Sequence, residues 1–178
     1  MKRRKRIAVV RCAGSAAIRM KEKAGQGAGA CETLKTAGAK DTAACAWGCL
    51  GGGSCAAVCP KDAISLREGR AAAVDAEKCI GCGKCAKTCP QQLICLVPAE
   101  NVIQPLCSSR SDAKETRAAC PAGCIGCGIC EKACPAGAVH VADHHAVIDQ
   151  ERCIACGMCA VKCPRGVIHD RNGIFTIG

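Results

Sequence analysis

The chain has 178 residues, 21 of them cysteine and 20 glycine, with one Trp, one Phe, no Tyr and a formal net charge of +10. So many thiols mean either a disulfide scaffold or metal ligation, and cysteines clustered two and three residues apart suit ligation rather than bridges between near neighbours. The apolar stretch Ile7 to Val10 is too short for a secretory signal and stops at Arg11, and no run approaches the roughly 18 apolar residues of a membrane span, which sets aside a secreted framework and a spanning helix.

In chain order, residues 1–44 read as an N-terminal strand–helix segment. KRRKR (residues 2–6) is a solvated basic run. RIAVVRC is a short strand running into Cys12 and a polar turn, then a helix. AGQGAGACETLKTAGAK (residues 24–40) reads as a loop, because GQGAGA has neither the spacing nor the βαβ context of a dinucleotide fingerprint.

Residues 45–98 and 120–178 carry the dense cysteine text, and residues 99–119 connect them. The connector, NVIQPLCSSRS around Cys107, repeats the N-terminal strand–Cys–turn pattern, and Ser111 to Glu115 has the acids of a helix start. Three segments fit C-x2-C-x2-C-x3-C-P: Cys79, Cys82, Cys85, Cys89, Pro90; then Cys124, Cys127, Cys130, Cys134, Pro135; then Cys153, Cys156, Cys159, Cys163, Pro164. Three thiolates converge from one tight loop whose glycines allow a close bend, about one helical turn carries the fourth away, and proline ends that turn. Zinc would want two separated pairs instead. Between Cys134 and Cys153 we expect strands over Ala138 to Val141 and Ala146 to Asp149, joined by a tight turn at Asp143 to His145. The span from Cys59 to Cys79 has the same grammar.

A fourth motif emerges from an internal repeat. Cys45, Cys49, Cys55 and Cys59 fall on Cys120, Cys124, Cys130 and Cys134 at a constant offset of 75, with Gly52 standing where the second half has Cys127. The simplest repair takes Cys45 as the missing thiolate; the alternative is a three-thiolate site holding a 3Fe-4S cluster. The first half also carries about 20 extra residues between Cys12 and Cys45 compared with Cys107 to Cys120.

These runs resemble the bacterial two-cluster ferredoxins, whose fourth Cys binds the other cluster of a pair. The resemblance implies an α+β fold of tandem ferredoxin-like 2[4Fe-4S] units with short hairpins and helical turns, each preceded by a small strand–helix segment. It also implies four 4Fe-4S clusters. Cluster one would take Cys45, Cys49, Cys55 and Cys89; cluster two Cys79, Cys82, Cys85 and Cys59. Cluster three would take Cys124, Cys127, Cys130 and Cys163; cluster four Cys153, Cys156, Cys159 and Cys134. Cys12, Cys31, Cys95, Cys107 and Cys120 are left over as small buried hydrophobes, or, Cys95 excepted, as a further site. An oxidised cluster with its thiolates carries about −2, so four would offset most of the basic excess. His140, His144, His145 and His169 read as solvated.

The order RIAVVRC, C-x3-GCLGGGSC-x3-CP, CPQQLICLVP and C-x3-GCIGCGIC resembles the C-terminal part of the B subunit of the Rnf complex, a membrane ferredoxin:NAD oxidoreductase coupled to ion translocation. That resemblance implies an electron-transfer subunit, not an enzyme on its own. Its partners would be reduced ferredoxin or flavodoxin and flavoprotein or NAD(P)-binding subunits, in the cytoplasm or on the cytoplasmic face of a membrane complex, with no nucleic acid. Subunits of this type begin with a membrane-anchoring helix and a further four-cysteine domain; neither is written here. The chain is then either a truncated piece of such a subunit or, as the opening Met1–KRRKR–strand reads, a natural short form, with a soluble electron-bifurcating complex as the alternative setting. A nucleic-acid-binding metal module is the reading from another class.

Overall fold

Short apolar runs separated by glycine and cysteine leave room only for short elements. A computed structural model describes residues 4–14, 29–36, 45–66 and 70–175 and divides into two compact units, Met1–Ala99 and Glu100–Gly178. The first contains β1 (Arg6–Val10), α1 (Ala30–Thr36), α2 (Ser54–Ala57), β2 (Ile64–Ser65), β3 (Ala73–Val74), α3 (Lys84–Thr88) and β4 (Ile94–Pro98). The second contains β5 (Ile103–Pro105), α4 (Ala113–Ala119), α5 (Ile129–Lys132), β6 (Val139–Ala142), β7 (His145–Ile148), α6 (Met158–Val161) and β8 (Ile168–Asp170). Among the described residues both units run strand, helix, helix, hairpin, helix, strand, although α1 lies in the extra residues of the first half and is not the counterpart of α4 at the offset of 75.

Each unit is closed by its outermost strands. β1 runs antiparallel to β4 with Ile7 opposite Val97 and Val9 opposite Cys95; β5 runs antiparallel to β8 with Ile103 opposite Asp170. The hairpins β2–β3 and β6–β7 are internal. The buried set is aliphatic and thiol: Ile7, Val10, Leu93 and Val97 with Cys55, Cys79 and Cys85 in one unit, and Ile103, Val139, Val167 and Ile168 with Cys124, Cys130 and Cys159 in the other. In a core without a fully buried aromatic ring, each buried Ile or Val contributes about 1.5–3 kcal/mol.

Three expectations change. A helix, α1, lies inside the stretch 24–40 read as a loop; residues 15–28, where a helix after Cys12 was expected, fall outside the described residues. The β6–β7 turn has two residues, Asp143 and His144, both at positive φ (45° and 64°), the geometry that matches the twist of a hairpin. That register carries His145 into β7, where it is buried and its Nδ1 lies 3.0 Å from the Asp143 carbonyl, so His145 is not solvated. His140 and His144 are exposed. The acid-rich start of α4 holds: the Asp112 side chain accepts from the Glu115 N–H at 2.8 Å, an N-cap.

Gly81 shows how closely the loops fit. Its φ is +66°, and a Cβ there would stand 2.3 Å from the Arg6 carbonyl oxygen on β1. Gly83, at φ +77°, would meet only the end of the Leu96 side chain at 3.3 Å. Gly83→Ala is expected to cost the left-handed penalty of about 1–2 kcal/mol. Gly81→Ala should cost clearly more, because the β1 backbone must move. Chemical denaturation of the two variants checks the order, and equal losses would contradict this packing.

Candidate metal centres

The four cysteine loops share one backbone signature. Each short helix is preceded by a glycine in the left-handed region, at Gly53, Gly83, Gly128 and Gly157 (φ 73° to 77°). Two residues before each, Gly51, Gly81, Gly126 and Ala155 are also at positive φ. Alternating left-handed residues turn successive N–H groups and side chains toward one concave side. The first loop keeps this shape although Gly52 replaces a cysteine.

The thiols stand around hollows. Cys79, Cys82 and Cys85 from one loop and Cys59 from the end of α2 line a space of about 350 Å³, open solvent included. Cys124, Cys127, Cys130 and Cys163 line another of about 340 Å³. A third, of about 410 Å³, is lined by Cys49, Cys55, Cys89 and Cys31. Here the structure differs from expectation: Cys45 is not among the lining residues, and Cys31, assigned to no cluster, is. Around the fourth loop, Cys159 has Cys153, Cys134 and Cys130 as neighbours. Among the described residues no three Cys, His or acidic side chains converge tightly enough to hold a single metal ion, as a tetrahedral zinc site requires. The donor sets fit a polynuclear core.

Burial dominates the electrostatics. It pushes the Cys55 thiol up to about 12, and the nearby Cys49, Cys31 and Cys89 thiolates add to the shift. Cys159 is pushed up to about 12 by burial and then by Cys153, and Cys130 to about 11 by burial and then by Cys124 and Cys163. Groups so placed stay neutral on their own; as thiolates they need a cation among them. Backbone N–H groups already point at several sulfurs: Ala8 to Cys79 and Ala63 to Cys59 at 3.3 Å, Ala138 to Cys134 at 3.3 Å and Val167 to Cys163 at 3.4 Å. Such donors stabilise negative charge on a ligating sulfur and so raise the potential of what it holds.

Of the remaining thiols, Cys95 sits half-buried on β4 facing the Val9 carbonyl. Cys107 and Cys120 are buried neighbours, and Cys12 lies near Cys45 and Cys49. Spacing alone had no means of finding Cys31; the extra residues before Cys45 were the available signal. Of the basic run, Lys2 and Arg3 fall outside the described residues. Arg6 donates to the Leu96 carbonyl at 2.6 Å and Lys5 to that of Ala76 at 3.3 Å, so these cations are tied to their own unit.

The family model of the 4Fe-4S dicluster domain matches residues 44–93, 78–138 and 123–167. Over 108 residues, 61% of the chain, the sequence is 38% identical to the B subunit of the Na(+)-translocating ferredoxin:NAD(+) oxidoreductase complex of Acetobacterium woodii. Over a stretch of the same length it is 41% identical to the B subunit of the ion-translocating oxidoreductase complex of Methanosarcina acetivorans. The matched stretch spans 32% and 41% of those proteins. No helix among the described residues is long and apolar enough to cross a membrane.

Because the thiols occupy core positions, anaerobic chelation of iron should abolish the native far-UV circular dichroism; a native-like apo spectrum would contradict this. Cys95→Ala should keep all its iron, whereas Cys85→Ala, which removes a thiol lining a hollow, should lose part of it.

Proposed function

The chain belongs to the 4Fe-4S dicluster family, and from that premise we propose that it is an electron-transfer subunit relaying single electrons through four 4Fe-4S clusters, two in each unit. The single observation behind this is the repeated cysteine-lined hollow: two loops present three thiols each and are joined by a fourth from another element, and the first loop presents two beside Cys89 and Cys31. The proposed ligand sets are Cys79, Cys82, Cys85 and Cys59; Cys124, Cys127, Cys130 and Cys163; and Cys153, Cys156, Cys159 and Cys134. The first site would use Cys49, Cys55, Cys89 and one more thiolate. When bound, such clusters accept and release one electron at a time with little rearrangement.

The chain's own residues hold, shield and tune. Short helices α2, α3, α5 and α6 each carry a cysteine of one loop, with the loop's fourth cysteine at or just past the helix end pointing to the neighbouring hollow. One turn of backbone therefore joins two neighbouring sites. Aliphatic side chains such as Leu93, Ile94 and Val167 keep water from the hollows, and the N–H donors set the charge the sulfurs bear. The exposed cations Lys78, Lys84, Lys87, Lys132, Arg152 and Lys162 lie beside the loops and favour docking of acidic partners.

One relative belongs to a ferredoxin:NAD(+) oxidoreductase complex; with the Rnf resemblance, this supports a setting in which reduced ferredoxin is the donor and a flavoprotein or NAD(P)-binding subunit the acceptor. A soluble electron-bifurcating complex would make the same demands on these residues.

Anaerobically purified protein should hold about 16 Fe and 16 sulfide per chain and give a low-potential EPR signal on reduction. Zinc in their place, or redox-silent clusters, would end this reading. Lys84→Glu with Lys87→Glu should slow reduction by ferredoxin about tenfold at low salt, the gap closing as ionic strength rises. Stopped-flow absorbance at several salt concentrations reads both effects.

A further inference from the structure

The first loop lacks its middle thiol, because Gly52 stands where the second half has Cys127. We propose that Cys31, on the inserted helix α1, supplies the fourth thiolate of this site, and that Cys45 is not a ligand. The inference rests on the cluster reading above and sharpens it.

Four observations converge. First, Cys31 lines the hollow together with Cys49, Cys55 and Cys89, and Cys45 does not. Second, α1 occupies the place a side chain at position 52 would fill. A Cβ on Gly52 would stand 2.9 Å from the Cys31 backbone nitrogen and 3.1 Å from the Ala30 carbonyl carbon. Gly52 is accordingly buried, whereas the corresponding Cys127 is exposed. The absence of a side chain at position 52 leaves the room that α1 takes.

Third, α1 is fastened at that spot from both ends. The Cys31 N–H donates to the buried Ser54 Oγ at 2.9 Å, one residue before the ligand position Cys55. Lys35 Nζ donates to the Pro90 carbonyl at 2.7 Å, one residue after Cys89. The helix is therefore pinned to the segments that carry two of the other three thiols.

Fourth, the Cys45 position has another role in both units. Its counterpart Cys120 is kept beside Cys107 in a unit whose loop already has three thiols. Cys107 Sγ accepts the N–H of Cys124 at 3.3 Å, and Cys12 likewise accepts the N–H of Cys49 with Cys45 nearby. A cysteine present where no ligand is missing is not a substitute for one. Cys12 with Cys45 in one unit, and Cys107 with Cys120 in the other, then repeat a thiol pair beside the start of each unit's first loop.

The test uses the full chain purified anaerobically as wild type, Cys31→Ala and Cys45→Ala, with iron, sulfide and EPR of the oxidised protein measured on each. Cys31→Ala should lose about one iron, with the signal of an oxidised 3Fe-4S cluster, or about four if the whole core is lost. Cys45→Ala should match wild type and stay EPR-silent when oxidised. Full iron in Cys31→Ala, or iron loss or a 3Fe-4S signal in Cys45→Ala, overturns the assignment. Should either alanine variant be recovered only unfolded, Cys31→Ser and Cys45→Ser replace the pair, with a shifted EPR signal of the reduced protein in the first alone as the expected result. A wild type without 4Fe-4S clusters would instead sink the reading on which the inference stands.

Discussion

A buried thiolate is tolerable only next to a positive charge, and this constraint governs the chain. Thiols take core positions that other small domains give to aromatic rings, and burial above all holds Cys55 and Cys159 at a pKa of about 12. The apolar remainder is a thin layer of Ile, Val, Leu and Ala around the loops. Secondary structure is correspondingly short, since it serves to aim sulfurs rather than to build a broad hydrophobic face.

The same constraint explains what could be read from the amino-acid order. Local ligands leave a fixed spacing, so the three complete motifs and the truncated fourth were legible as text. Elements with strong local chemistry were equally plain: β1, the Asp112 cap of α4 and the β6–β7 hairpin. The exact hairpin register was less so, because two residues at positive φ decide it, and neither Asp143 nor His144 is a glycine. Hence His145 was misplaced on the surface.

Cys31 shows where spacing stops being informative. It lies eighteen positions before Cys49, in Gly/Ala-rich text with almost no amphipathic pattern, and its helix exposes most of its surface. What brings it to the hollow is tertiary: the space over Gly52, the Ser54 hydroxyl and the Pro90 carbonyl. None of these carries a mark in sequence until the neighbouring elements are in place. The two units therefore share an element order while differing in how one corner of one site is furnished.

The pairing of outermost strands, β1 with β4 and β5 with β8, bears on how the chain is made. Contacts between residues some 90 positions apart, such as Arg6 with Pro98, close late because long loops must be drawn in first. During synthesis the strand pairing of a unit cannot form until its last strand has left the ribosome. The topology therefore puts the closing of each unit, and with it the covering of its hollows, at the end of folding.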